Sequence, residues 1–176
     1  MLRNRIKYIE FLVEEKQHIE ESLIPILDTV SDPEIPVLTI LDMGVVREAS
    51  ENMGVVTIKI TPTYSGCPAM DVIGDDIIAA FSSVGKEAKV ELILSPAWTT
   101  DWITPKGRKA LEEYGIAAPL NAIADKEALL GNKKLVKCTN CGSTNTKVVS
   151  QFGSTACKAL FKCEECQEPF DYFKCL

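Results

Sequence analysis

With 176 residues, 46% of them hydrophobic and 25% charged, the chain has apolar material for one medium domain, or for a smaller domain with an appendage. It has no apolar run near the roughly 20 residues of a membrane helix, and the basic start Met1-Leu2-Arg3-Asn4-Arg5-Ile6-Lys7 lacks the apolar stretch of an export signal. A cytoplasmic protein without a membrane partner is expected, and the net charge of −6 argues against nucleic acid, which calls for a basic face.

Residues 3–30 carry apolar side chains at helical spacing, with two helices or one bent near Pro25, because proline in a helix interior breaks or kinks it. His18, the one histidine of the chain, falls in this stretch among glutamates and reads as a solvated helix residue. Residues 1–17 are set apart as an N-terminal helical extension, and residues 18–115 as an α/β domain. Pro33 and Pro36 then stiffen an extended segment that displays Asp32 and Glu34. These two are either a carboxylate pair at a site or ordinary loop acids facing water. Residues 45–49 and 53–60 predict a hairpin turning at Ser50-Glu51-Asn52.

The second strand runs into Thr61-Pro62-Thr63-Tyr64-Ser65-Gly66-Cys67-Pro68, and Met70, Ile73, Ile77 and Phe81 then recur at helical spacing. Cys67 thus falls where a loop joins a helix. There, free backbone N–H groups and the positive end of the helix dipole favour a thiolate, the form that acts as nucleophile and metal ligand. The competing reading is a small buried cysteine that packs the loop. Residues 88–94 predict a third strand, parallel to the second by the strand–helix–strand rule. The expected fold is a small mixed sheet with packed helices.

Trp98 and Trp102, the two tryptophans, follow the third strand. They either cap the core or form an exposed recognition patch for a partner. Thr104 and Pro105 have the chemistry of a cap and a first helical position for a helix over 106–114, and residues 116–136 read as a linker. Of the seven cysteines, six lie at 138, 141, 157, 163, 166 and 175. In a chain expected in the cytosol this clustering indicates metal before disulfides. Cys138-x₂-Cys141 and Cys163-x₂-Cys166, with 21 residues between them, have the arrangement of a zinc ribbon over residues 137–176, one residue beyond the usual spacing of about 15–20. Zinc or iron would serve a closed, structural Cys₄ site, and a module this small would draw much of its stability from the metal. Cys157 and Cys175 exceed the four ligands. Each is a buried hydrophobe or a functional thiol, and together with Cys67 they offer a second reading as holders of a transient iron–sulfur fragment. The aromatic residues Phe170, Tyr172 and Phe173 either finish the ribbon core or face the first domain. No phosphate loop, Ser–His–Asp set or zincin motif is present in the sequence, so an autonomous enzyme is not expected.

Asp32-Pro-Glu-Ile-Pro36, Leu41-Asp-Met-Gly44 and Thr61-Pro-Thr-Tyr-Ser-Gly-Cys-Pro68 resemble the small domain of iron–sulfur assembly factors of the SufT type. With Ser95-Pro-Ala-Trp98-Thr-Thr-Asp-Trp102, Phe152-Gly-Ser-Thr-Ala-Cys157 and Glu168-Pro-Phe-Asp-Tyr-Phe-Lys174, the chain is similar over nearly its whole length to the PaaD (PaaJ) subunits of phenylacetyl-CoA epoxidase systems. The resemblance implies an accessory part in aerobic phenylacetate breakdown, assisting maturation of an iron–sulfur cluster or diiron centre. The partners it implies are the other epoxidase subunits, above all the iron–sulfur flavin reductase; a homodimer is a further expectation. It makes Cys67 the reactive, cluster-transferring cysteine and Asp32 and Glu34 its acidic loop, with Cys138, Cys141, Cys163 and Cys166 binding metal. The competing expectation is a non-catalytic structural component that docks the others.

Overall fold

The computed structural model describes residues 17–120, 127–130 and 135–174; the helix expected over residues 3–16, and Cys175, lie outside them. His18–Ile19 is not helical as expected. It forms an edge strand, β1, parallel to Val46–Asn52 (β2), with His18 opposite Glu48. The helical pattern begins after it, in a 3-10 turn at Glu21–Leu23 that leads into Ile24–Leu27 (α1). Pro25 sits in the first turn of α1, where its missing N–H costs nothing. It therefore starts a short helix and does not bend a long one. Leu23 and Leu27 are fully buried, while His18 is exposed.

Thr39 caps Ile40–Met43 (α2) by accepting the Asp42 N–H at 3.1 Å, and Gly44 ends it with a left-handed φ of 76°. A Cβ at Gly44 would stand 2.6 Å from the Trp102 carbonyl oxygen, so both the backbone angle and the space call for glycine. β2 pairs antiparallel with Val55–Ile60 (β3) through Asn52 opposite Val55, so the hairpin turns at Met53-Gly54, later than the sequence implies. Both turn residues have positive φ, 49° and 81°, the signature of the two-residue turn whose twist suits a hairpin. Val56, Ile58 and Ile60 of β3 join Met70, Ile73, Ile77 and Phe81 of the long helix Ala69–Ser83 (α3) in one core. Glu87–Leu92 (β4) then pairs parallel to β3, completing a mixed sheet in the order β1-β2-β3-β4.

Thr104 accepts the Gly107 N–H at 3.0 Å and caps Pro105–Glu113 (α4). Asp42 fastens α4 to α2: its carboxylate accepts from Thr104 Oγ1 at 2.6 Å and Thr39 Oγ1 at 3.1 Å, and pairs with Lys106 Nζ at 2.9 Å. Gly107 permits this approach, since a Cβ there would stand 2.9 Å from the Asp42 carbonyl oxygen and from Leu38 Cδ1.

Ile116–Ala117 (β5), Thr146–Ser150 (β6), Lys158–Cys163 (β7) and Pro169–Phe173 (β8) form the second sheet, in the order β5-β8-β7-β6. The start of the expected linker is thus a strand: Ile116 and Ala117 lie parallel to Asp171 and Tyr172. The aromatic residues of β8 divide their work. Phe170 and Tyr172 fill the ribbon core with Phe161, whereas Phe173 and Cys157 belong to the core of the first module. The mixed α/β architecture with a C-terminal ribbon is as the sequence predicts. Among the described residues no helix is long and apolar enough to cross a membrane.

Two measurements probe the α2–α4 junction. Gly107→Ala is expected to cost about 1–3 kcal/mol in denaturant unfolding, because backbone must move to admit the methyl group. Burial would raise the Asp42 pKa, but hydrogen bonds from Thr104, Lys106 and Thr39 outweigh it and hold the carboxyl below its ordinary 3.8. A depressed carboxyl stabilises the fold above the unfolded-state value and loses that contribution as pH falls through the folded one. Asp42→Ala should therefore lose about 2–3 kcal/mol at neutral pH and show a shallower decline of stability in acid than the parent.

Candidate functional site

Cys67 stands just before the first turn of α3, with Pro68 at the cap position. Its N–H donates to the Tyr64 carbonyl at 3.2 Å and its own carbonyl accepts the Met70 N–H at 3.3 Å. These bonds close the loop into a tight turn, and Gly66 inside it has a φ of 82°. The side chain is half-buried, between exposed Gly66 and Pro68. The Tyr64 phenol lies within electrostatic reach of Cys67. Burial raises the Tyr64 phenol to about 12, and the neighbouring Cys67, Cys157 and Glu34 add to the rise. Tyr64 is thus a neutral hydroxyl at physiological pH. Thr61 at the base of the loop is almost fully buried, and its Oγ1 has no hydrogen-bond partner. It lines a cavity of about 100 Å³ with Thr63, Tyr64, Ser65, Leu94 and Trp98.

The acidic loop acts electrostatically on Tyr64 through Glu34. Asp32 is buried, and its Oδ1 accepts the N–H groups of Glu34 and Ile35, both at 2.8 Å. Burial still raises its pKa, with the Glu34 charge acting the same way and Lys158 opposing. Cys157 arrives from the ribbon: its Sγ lies 3.0 Å from Thr155 Oγ1 and donates to Glu34 Oε2 at 3.8 Å. Burial pushes the Cys157 thiol up to about 11; the Thr155 bond opposes this, while the charges of Glu34 and Asp32 reinforce it. Cys157 is therefore a protonated, buried thiol in contact with a carboxylate, and the buried ammonium of Lys158 partly offsets the two acids.

The two tryptophans do not make the exposed patch that was the alternative to a core role. Trp98 is buried, donates from Nε1 to the Met43 carbonyl at 3.1 Å, and meets Phe173 edge-on at 6.0 Å. Trp102 is half-buried with the Arg47 guanidinium 3.6 Å from its ring centroid. Apolar size and a guanidinium partner draw both rings into the fold.

In the ribbon, Cys138, Cys141, Cys163 and Cys166 bring four sulfurs within 4.8 Å of one another, the one set of three or more such ligand atoms this close among the described residues. Cys138 and Cys166, and likewise Cys141 and Cys163, have sulfurs 3.6 Å apart. Tetrahedral thiolates about 2.3 Å from a zinc ion would be about 3.8 Å apart, so the donor set fits one such ion. The Glu168 N–H lowers the Cys166 thiol to about 7, although burial acts against it. Gly142 follows the first pair with a φ of 72°, and Gln167, at the same place after the second pair, adopts 65°. The knuckle therefore forms at both pairs, with and without glycine.

Family models match the chain in two places: residues 20–92 match "Iron-sulfur cluster assembly protein" and residues 122–174 match "PaaD zinc beta ribbon domain". A protein of Escherichia coli K12, whose provisional name makes it one of the subunits of 1,2-phenylacetyl-CoA epoxidase, is 47% identical over 152 residues, covering 86% of this chain and 90% of that one. The chain belongs to the PaaD family. An "Fe-S protein maturation auxiliary factor" of Porphyromonas gingivalis is 36% identical over 99 residues, 54% of this chain and 90% of its own. A crystal structure of a domain of unknown function from Bacillus anthracis aligns with a TM-score of 0.49 at 26% identity, covering 52% of this chain and 90% of that one.

In this PaaD-family chain the structure brings Cys157 of the ribbon segment to Glu34 of the acidic loop, holds Cys67 in one turn with Tyr64, and gathers the four ribbon sulfurs as a separate set. Sequence reasoning overlooked Tyr64, Thr155 and Lys158. Nothing in their spacing marks them; a signal for Tyr64 lay only in its position three residues before Cys67. For the ribbon, removal of the metal with a strong chelator is expected to unfold residues 135–174, seen as loss of strand signal in circular dichroism. Nothing stands within 4 Å of a Cβ built on Gly142, so Gly142→Ala should cost only the left-handed backbone penalty of about 1–2 kcal/mol. That would weaken metal retention by roughly ten-fold, measured by competition with a chromogenic chelator.

Proposed function

We propose that this chain is an accessory factor of a phenylacetyl-CoA epoxidase system, acting in iron–sulfur assembly. In this reading Cys67 is the sulfur that takes up iron or a cluster and yields it to the iron–sulfur reductase of that system. What supports it is the two-part match, an assembly-type domain joined to a ribbon, together with the E. coli relative named for the epoxidase. The observation that carries it is the placement of Cys67. It is a half-exposed sulfur at the entrance to a long helix, in a tight turn that begins at Tyr64. Such a sulfur can exchange ligands with a client cluster without a general base, since cluster transfer needs a thiolate and an approach path more than a proton shuttle.

Zinc is the metal assigned to the ribbon. Cys138, Cys141, Cys163 and Cys166 would hold it in a closed shell, so its contribution is to folding and to presenting β7 and β8. The chemistry of transfer rests on the first module.

The experiment is Cys67→Ser in cells that make the complete epoxidase system, followed by purification of the reductase and measurement of its cluster content per polypeptide. A several-fold fall is expected, with the ribbon metal of the variant unchanged. Full occupancy of the reductase, with the chain still co-purifying in fixed stoichiometry, would instead make it a docking component of the complex.

A further inference from the structure

The strand β4 is an open edge of the first sheet. All 6 residues of Glu87–Leu92 pair with β3 without a bulge, and among the described residues no strand lies on the other side. The Ile93 N–H donates to the Ile60 carbonyl, so the odd-numbered residues turn their backbone toward β3. Ala88, Val90 and Leu92 alternate with them and turn their N–H and C=O groups outward. A flat edge of this kind is a template for another strand. Val90 faces α3, where a Cβ on Gly74 would stand 3.9 Å from its Cγ1, and Ala88 and Leu92 share that side. Leu92 is 55% exposed there. Lys89 and Glu91 stand on the opposite face, joined at 2.6 Å. On that face charges alternate across the sheet: Glu48 of β2 bonds Lys59 of β3 at 2.7 Å, and Lys59 lies opposite Glu91 of β4. The row stops at Glu91.

We propose that β4 seats a second copy of this chain, whose own β4 adds antiparallel about a two-fold axis at Val90 and joins two four-stranded sheets into one. In that register Val90 faces the partner's Val90, Ala88 faces the partner's Leu92, and Leu92 faces the partner's Ala88. All three are outward-turned residues, so each pair exchanges both of its backbone bonds. Lys89 then stands opposite the partner's Glu91, and Glu91 opposite the partner's Lys89, in the pairs whose side chains come closest. The charge row thus continues past Glu91 to a lysine. Lysine on an open edge commonly guards against pairing; here it selects the partner. An axis at Lys89 would set Lys89 against the partner's Lys89 and Glu87 against the partner's Glu91. An axis at Glu91 would set Glu91 against the partner's Glu91. Like charges oppose both, so β4 is complementary to itself in one register. The small Ala88 leaves room for the exposed leucine. The two-fold also separates the sites. Each Cys67 loop follows the C-terminal end of a β3 that runs parallel to its β4, so the two loops lie at opposite ends of the joined sheet. The proposal is independent of the role given to Cys67.

The test is sedimentation velocity of the full chain, zinc-loaded, from micromolar to several hundred micromolar. A strand pair this short falls below the standard interface of about 800 Å² per partner. The wild type should therefore show a reversible monomer–dimer equilibrium with a Kd of about 1–100 µM. Lys89→Glu and Glu91→Lys each set two like-charge pairs across the axis and should raise the Kd by more than about ten-fold. Leu92→Pro removes an outward N–H and no bond to β3, and should do the same. An equimolar mixture of Lys89→Glu and Glu91→Lys should dimerise again, because every contact between positions 89 and 91 then joins opposite charges. Zinc at one per chain and an unchanged circular dichroism spectrum certify that each variant is folded. A wild type that stays monomeric throughout, a dimer indifferent to the three substitutions, or a mixture that fails to reassociate overturns the proposal. Reductase bound by a monomeric wild type and not by Leu92→Pro would give the edge to a client strand, and overturns it equally.

Discussion

The edge-on contact of Trp98 with Phe173 is what makes two modules into one body. Trp98 is already held from the first module by its bond to the Met43 carbonyl, and Phe173, at the end of β8, inserts against it. Full burial of a phenylalanine is worth roughly 2–3 kcal/mol, and the edge-to-face geometry adds about 1 kcal/mol. Within the second sheet, the Leu120 N–H bond to the Tyr172 hydroxyl at 3.2 Å contributes about 1 kcal/mol. Apolar contact therefore decides the docking. From this follows the position of Cys157, which is hydrogen-bonded through its carbonyl to the residue after Phe173.

The site that results has an electrostatic character distinct from that of the ribbon. Asp32 and Glu34 place negative charge beside buried thiol, and the raised pKa of Cys157 and the raised carboxyl of Asp32 express the same crowding. Lys158 supplies the compensating charge from the ribbon side. Each module thus brings what the other needs, acids from one and a thiol with an ammonium from the other.

Much of this was legible in the sequence where local chemistry decides. The hairpin, the helix after Cys67 and the paired cysteines are set by alternation, helical spacing and ligand spacing, all short-range signals. The first stretch misled because Ile19, Leu23 and Leu27 fit a helical face while the backbone at His18–Ile19 answers to a partner strand 30 residues away (48 − 18), at Glu48 and Ala49. The same holds for Ile116 and Ala117, whose apolar character fits a linker or a strand equally well until β8 is there to pair with them. Trp98 and Trp102 were ambiguous for a related reason: their rings are explained by Met43, Phe173 and Arg47, none of which is near in sequence to both. The convergence of Cys157 with Glu34, 123 residues apart, has no local signature at all.

The pairing of Ile116 with Asp171 carries a consequence for how the chain is made. The two residues are 55 apart (171 − 116), so a strand that leaves the ribosome directly after α4 waits with its edge uncovered until the last strand of the ribbon has emerged. The first sheet has all its strands long before then. Closure of the second sheet, and with it the arrival of Cys157 beside Glu34, is thus a late event in synthesis, and a nascent chain halted before β8 would present Glu34 without the thiol that meets it.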